Sequence, residues 1–194
     1  MHGRKRWLWL AISVSLLAQG CTHYVGFERP STLSYAEKIP IDVAFFMNET
    51  ARSRTYEARG WSSGIANSWV IPVGDVAHDY ALAYLAEAFR GFREVSLPKA
   101  EPPGAFVLSI QAIDYWMEGQ AAHSMVYASV TSPRGKEVLN KTYAQDGPSG
   151  FGRVLAAGPF AQKSAIRQST HVVYENIFKS LVADIRAGYR GWTE

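Results

Sequence analysis

The 194-residue sequence contains a single cysteine, Cys21, so it cannot form an internal disulfide. It has no apolar run of about 20 residues, the length that a membrane-spanning helix needs. Three of its 20 Lys and Arg residues precede Cys21, which leaves 17 against 17 Asp and Glu in the remainder. A neutral chain without a basic run gives no indication of nucleic-acid binding. Its stability must therefore come from packing.

Several sequence signatures of catalysis are also missing. There is no H-E-x-x-H zinc motif, and the glycine-rich stretch Gly147–Arg153 lacks the Lys-Ser/Thr pair of a P-loop. Asp114 is the best acid–base candidate, because strict alternation along Phe106–Met117 would place it on the apolar face of a strand. A single carboxylate is a weak indication of chemistry. We expect no enzyme activity, no metal and no cofactor.

The first 21 residues have the layout of an export signal. Residues 4–6 are basic, Trp7–Ala18 is an apolar run broken by two serines, and the small residue Gly20 precedes Cys21. Leu17-Ala18-Gln19-Gly20-Cys21 resembles the lipobox of bacterial lipoproteins. The resemblance implies that residues 1–20 are removed and that Cys21 becomes an N-acyl diacylglyceryl cysteine, carrying palmitate-type chains. The alternative is an ordinary secretory signal in which Cys21 is incidental.

The resemblance also implies a location. In the lipoproteins that the signal resembles, Thr22 rather than Asp after the cysteine directs the protein to the outer membrane. Residues 21–40 show no helical or alternating period, so we expect a lipidated tether of roughly 60 Å at ~3.3 Å per residue. Tyr24 and Phe27 could contact the lipid headgroups or pack on the folded body. Residues 41–190 are expected to form one periplasmic domain.

Apolar periodicity predicts an α+β fold with a mainly antiparallel sheet of about four to five strands and two helices packed on one face. The segment Ile41–Met47 is apolar on both sides and is expected to be a central strand. Three segments read as an antiparallel meander, and two more could form a hairpin. The predicted elements are strand Ile41–Met47, helix Asp75–Phe92, strand Arg93–Leu97, meander strands Phe106–Met117, His123–Thr131 and Glu137–Gln145, and helix Ala161–Ala187. The long polar stretch Arg52–Trp69 is expected to be a loop, in which Arg54–Arg59 and Ser68–Pro72 are possible hairpin arms of weak period.

This order of elements behind a lipobox resembles a group of small Gram-negative outer-membrane lipoproteins. The group includes the YajG-type lipoproteins, the Pel polysaccharide-export lipoprotein, the lipopolysaccharide-assembly lipoprotein and the activator lipoproteins of peptidoglycan synthases. The stretch Val43–Thr50 is similar to the strand followed by Asn-x-Thr in the Pel-export and TolB amino-terminal type. The resemblance implies a non-catalytic accessory or scaffold subunit of an envelope assembly or export complex.

Aromatic and arginine side chains in two predicted loops are the candidate partner contacts, since such residues are enriched at interface hot spots. They are Tyr56, Trp61, Trp69, Phe151 and Arg153. The partner would be an envelope protein or further copies of this chain. The two tryptophans could equally fold back onto the core.

A second hypothesis is a periplasmic glycan- or lipid-binding lipoprotein. Four aromatic residues, Tyr80, Tyr84, Tyr115 and Trp116, would then line a site between the helices and the meander, although their spacing equally suits a plain core. Two histidine–acid pairs are explained more simply by structural roles than by chemistry. His171 and Glu175 are spaced for an exposed ion pair on one helix, and His78–Asp79 is expected to face solvent.

Overall fold

The computed structural model describes residues 22–59, 68–150, 152, 154 and 161–192. Within these ranges it is an α+β structure with eight strands in two sheets and three helices. The strands are β1 (Thr22–Tyr24), β2 (Ile39–Met47), β3 (Tyr56–Arg59), β4 (Ser68–Ile71), β5 (Phe89–Glu94), β6 (Phe106–Glu118), β7 (Ala121–Thr131) and β8 (Glu137–Asp146). The helices are α1 (Glu49–Arg52), α2 (Val73–Leu85) and α3 (Gln162–Trp192).

The larger sheet has the strand order β5-β2-β6-β7-β8. β2 lies between two neighbours, as expected for a strand that is apolar on both faces, and β6, β7 and β8 form the predicted antiparallel meander. The prediction of a mainly antiparallel sheet is confirmed only in part: the sheet is mixed, because β2 runs parallel to both β5 and β6. The chain crosses from β2 to each of these neighbours through helical segments or long connections, and such crossovers bring strands together in parallel.

The β6–β7 turn has a backbone signature that sequence reading did not single out. Gly119 and Gln120 both have positive φ, at 52° and 64°. A two-residue hairpin turn of this kind matches the twist of the strands on either side. Ser149 Oγ donates to the Gly119 carbonyl at 2.7 Å, which ties the turn to the chain after β8.

The smaller sheet has the order β1-β4-β3, and its antiparallel β3–β4 pair corresponds to the hairpin arms that the sequence offered only as a possibility. β1 comes from the segment that was expected to be a free tether. Residues 22–40 are not free in the structure: β1 pairs with β4, and the Val25 amide donates to the Val70 carbonyl at 2.9 Å. The expectation failed because the segment gains its hydrogen bonds from distant parts of the chain and shows no local period.

The first long helix ends earlier than its periodicity predicts. α2 stops at Leu85, and residues assigned to its last turns instead form β5. Phe89 pairs with Ile39 of β2 and is fully buried, and Phe92 stacks on Phe45 with the ring centroids 5.8 Å apart. The spacing of the aromatic residues suits either a helix or a strand, and pairing with β2 decides the outcome.

The last helix, α3, begins one residue later and ends five residues later than predicted, and it packs against β7, β8 and α2. Several polar contacts join it to the meander. The Ala122 amide donates to Ser169 Oγ at 2.7 Å, Tyr115 and Thr170 share a hydroxyl–hydroxyl bond of 2.7 Å, and Tyr143 donates to Asp184 at 2.8 Å. These hydrogen bonds provide partners for polar groups that the packing of α3 on the sheet shields from water.

Candidate binding surface

A β-bulge in β6 decides which side chains face solvent. The register with β7 shifts between Ile110 and Ala112, so Gln111 is one residue too many for its partner strand. Beyond the bulge the alternation is reversed, and Ile113 and Tyr115 point into the core, with 3% and 4% exposure. An extra residue in a strand exchanges the faces of every side chain after it.

The predicted environment of Asp114 is therefore wrong. Strict alternation placed this carboxylate on the apolar face, whereas it is exposed on the opposite one. There it accepts a hydrogen bond from the Tyr127 hydroxyl at 3.0 Å, and this bond raises the pKa of Tyr127. An exposed carboxylate bonded to tyrosine lacks the desolvation that would have made it an acid–base candidate.

The same reversal brings Trp116 to the open face, directly opposite His123 of β7. The two rings stack with centroids 5.3 Å apart and planes inclined by only 10°. His123 Nδ1 lies 2.6 Å from Asp146 Oδ1 of β8, whose side chain is 77% exposed. This chain of contacts across three strands holds the indole and imidazole rings in one orientation.

Further along β7, Met125 and Tyr127 lie partly exposed on the same face. We call Trp116, His123, Met125 and Tyr127, with the flanking carboxylates Asp114 and Asp146, the aromatic platform. Its neighbours on the face are small and exposed: Ala112, Thr142 and Ala144. The platform is thus a shallow surface of aromatic and sulfur-containing side chains held by a sheet, with two carboxylates available as hydrogen-bond acceptors.

Two predicted partner contacts lie in strands and pack against the protein itself. Tyr56 of β3 stacks edge-on against Tyr115, with centroids 5.3 Å apart, and its hydroxyl accepts from the Met117 amide at 3.3 Å. Trp69 of β4 is 5% exposed and stacks on His23 at 4.7 Å. The alternative reading, in which tryptophan folds back onto the core, is the one that fits Trp69.

The other predicted site residues, Cys21, Trp61, Phe151 and Arg153, lie outside the described residues. One motif near Trp61 was missed in the sequence: Gly60-Trp61-Ser62-Ser63-Gly64 matches the G-x-S-x-G pattern of hydrolase nucleophiles. A nucleophile elbow joins a strand to a helix. This stretch connects β3 to β4, which are two antiparallel strands, so its context is not that of an elbow.

The four aromatic residues proposed for a ligand site do not form one. Tyr80, Tyr84 and Tyr115 are at most 5% exposed and belong to the core, whereas Trp116 lies on the opposite face of β6. Burial raises the pKa of Tyr84 to about 12 and raises those of Tyr80 and Tyr115 as well. Such phenols stay neutral and serve as packed, hydrogen-bonding rings.

The predicted pair on α3 is confirmed, since His171 Nε2 lies 3.3 Å from Glu175 Oε2. His171 Nδ1 is also hydrogen-bonded to the Tyr80 hydroxyl, so the pair joins α3 to α2. Lys179, 2.7 Å from Glu175, is the main reason that the pKa of Glu175 is lowered. These contacts border a groove of about 470 Å³ between residues 27–31 and the two helices.

The prediction that His78 faces solvent is wrong, although its Nδ1 lies 4.0 Å from Asp79 Oδ1, the predicted pair partner. His78 is 5% exposed, and its Nε2 lies 2.6 Å from Glu94 Oε1 of β5. Its apolar surroundings include Phe45, at a centroid distance of 6.2 Å. Glu94 is distant in sequence, so nothing local to α2 indicated this partner.

Among the described residues, no three His, Cys, Asp or Glu side chains are grouped so as to hold a metal ion. Within the same residues, no helix has the length and apolar character needed to span a membrane.

Comparison with known proteins identifies no family. No family model matches the chain, and no curated protein matches it. Among solved structures, it is similar to the crystal structure of an uncharacterized protein, with a TM-score of 0.39 and 10% identity. That alignment covers 84% of this chain and 99% of the other, and a likeness of this degree supports no statement about function.

Proposed function

We propose that this chain is a lipid-anchored outer-membrane lipoprotein that faces the periplasm and serves as a non-catalytic accessory or scaffold subunit of an envelope assembly or export complex. The sequence up to Cys21 supports the location. The aromatic platform supports the role, because it offers a partner the residue types that dominate interface energetics. The two parts of the proposal rest on separate observations and can fail separately.

In this proposal α2 and α3 cover one face of the larger sheet and leave the other for a partner. Phe45 of β2 contacts His78 of α2, and Tyr115 of β6 bonds to Thr170 of α3. The two helices also contact each other, with the Tyr80 and Tyr174 rings 5.9 Å apart. Helices that share one face would make the platform the natural side for docking.

The observation that carries the role is the orientation of Trp116. The indole is stacked on His123, and His123 is in turn paired with Asp146. A ring held in this way loses little conformational freedom when a partner covers it, so its buried area contributes more fully to affinity. We expect Trp116 to be the main anchor and Tyr127 and Met125 to be secondary contacts.

Site-specific photocrosslinking in cells that produce the full chain tests this role. A photoreactive phenylalanine at Met125 should give one defined adduct, and the same residue at the exposed Gln168 of α3 should not. Adding Trp116→Ala should reduce the adduct severalfold, and Trp116→Phe should preserve most of it. An adduct of equal yield from Gln168, or one that is unaffected by Trp116→Ala, would refute the platform as the docking surface.

A glycan on the same platform is the second candidate function. The coplanar Trp116–His123 pair could stack on a sugar ring, and Asp114 and Asp146 could accept hydrogen bonds from its hydroxyls. Titration with soluble peptidoglycan fragments, followed by tryptophan fluorescence, distinguishes the two. Saturable quenching that disappears in Trp116→Phe favours a glycan, whereas no response alongside a defined protein adduct favours a subunit.

A further inference from the structure

The residue that follows Cys21 is already part of a folded sheet. Thr22 pairs with Ser68 of β4, and their hydroxyl oxygens are 3.1 Å apart in a hydrogen bond. Consecutive Cα atoms are 3.8 Å apart across a trans peptide. Cys21 lies outside the described residues, and in the sequence it directly precedes the first residue of the small sheet.

The chain after β1 is held along its length. Val25 is 1% exposed, the Leu33 amide donates to the Ala83 carbonyl at 3.0 Å, and Arg186 donates to the Glu37 carbonyl at 2.8 Å. These contacts reach α2 and α3, so they connect the segment to the main body. A segment held at three points cannot act as a flexible linker between its first residue and the domain.

The side chains close to Thr22 suit a bilayer surface. Tyr24 is 70% exposed, which is unusual for a large aromatic ring, and tyrosine favours the interface between lipid and water. Phe27, by contrast, packs against the core. Arg59 of β3 and Thr22 of β1 both pair with Ser68 of β4, so the three strands lie side by side at this point.

We infer that the small sheet β1-β4-β3 lies directly against the phospholipid surface that holds the acyl chains of Cys21, with Tyr24 in the headgroup layer. The inference rests on the lipidation in the proposed function and adds to it a fixed orientation. Acylation alone would limit only the distance between the protein and the membrane. Because the chain after Cys21 is held against the domain, the lipid also determines which end of the protein faces the membrane.

The orientation defines a distal end. Tyr56 of β3 contacts Met117, so the small sheet lies near the β6–β7 turn at one end of the meander. The β7–β8 turn at residues 132–136 lies at the other end of β7, an eleven-residue strand of roughly 35 Å at ~3.3 Å per residue. The exposed residue Lys136 is therefore far from the proposed membrane contact and provides a matched reporter position.

Quenching by lipid headgroups tests the inference. The full lipidated chain, labelled with a small fluorophore at Tyr24→Cys or at Lys136→Cys, is reconstituted in vesicles of phosphatidylethanolamine and phosphatidylglycerol with a headgroup-spin-labelled lipid. The acylated sulfur of Cys21 does not react with the label. We expect quenching at position 24 to be severalfold stronger than at position 136.

A linker variant removes the proposed restraint without removing the lipid. Inserting ten Gly and Ser residues between Cys21 and Thr22, which add a root-mean-square length of about 17 Å, should bring quenching at position 24 down towards the value at 136. Equal quenching at the two positions in the native-length chain, with acyl chains verified by intact mass, would overturn this inference and leave the proposed function standing. A chain recovered from the envelope without acyl chains would overturn both.

Discussion

The two faces of the β6–β7 hairpin both carry aromatic side chains but differ in what covers them. On one face Ile113, Tyr115 and Val126 are at most 4% exposed, and Tyr115 bonds to α3. On the other face Trp116 and Tyr127 remain partly open, and their polar partners are neighbouring strand residues. Aromatic content alone therefore does not distinguish core from surface. The bulge at Gln111 makes the distinction.

Inserting one alanine between Ile113 and Asp114 should have the largest effect. With a second extra residue beyond the bulge, the remainder of β6 would turn Asp114 and Trp116 inward and Tyr115 outward. Burying an unpaired carboxylate and exposing the core should cost more than about 4 kcal/mol of unfolding free energy. Urea denaturation followed by circular dichroism measures this.

The control for that insertion is Gln111→Ala, which leaves the number of residues in β6 unchanged and loses only the 2.9 Å bond to Ser129 Oγ. It should cost about 1 kcal/mol at most. An insertion variant as stable as the natural chain would show that the number of residues in β6 does not determine the two faces.

Truncating a side chain on each face compares them directly. Leu108→Ala removes a fully buried side chain and should destabilise the protein by about 2–5 kcal/mol. Trp116→Ala on the open face should cost about 1 kcal/mol or less, although the side chain is larger. The comparison is made from urea midpoints at unchanged m values. Equal losses would mean that the platform is part of the core.

Removing a hydroxyl from the covered face should have a smaller effect. Ser169→Ala leaves the buried Ala122 amide without its 2.7 Å acceptor, which should cost about 1–3 kcal/mol. Gln168→Ala, at an exposed position of the same helix, is the control and should alter stability by less than about 0.5 kcal/mol. Thermal unfolding at constant pH gives both values, and similar shifts would exclude a specific role for Ser169.

The smallest expected effect is the pH dependence at the edge of the covered face. The hydrogen bond from Lys141, aided by that from Tyr143, lowers the pKa of Asp184. A pKa that is lower in the folded state stabilises the protein above the unfolded value of about 4, and this stability is lost as pH falls through the folded value. The carboxylate is 35% exposed, so we expect less than about 1 kcal/mol.

Asp184→Asn should therefore reduce stability at pH 7 and make less difference at a second, acidic pH, because the natural side chain also loses its charge as the pH falls. Denaturant titrations at the two pH values measure the change. Lys141→Gln should reproduce the loss at pH 7. A penalty of equal size at both pH values would show that the contribution of Asp184 is not its charge.

Features with a local period could be predicted from the sequence. The apolar run of β2, the alternation and turn residues of the meander, and the apolar stripe of α3 each lie within one element, and all three elements are present in the structure. The His171–Glu175 pair follows in the same way from helical spacing. The proposed anchor at Cys21 and the neutral charge of the chain that follows it are likewise properties of sequence alone.

Only the tertiary structure decided the features that depend on a distant partner. The helix α2 ends early because Phe89 pairs with β2. His78 is hydrogen-bonded to Glu94, and the segment that was expected to be a tether pairs with β4. The exposure of the aromatic platform also depends on the tertiary structure, because one unpaired residue in β6 reverses the faces of Asp114 and Trp116. Periodicity predicts the pattern within a strand, and only its register with the neighbouring strand shows where that pattern is broken.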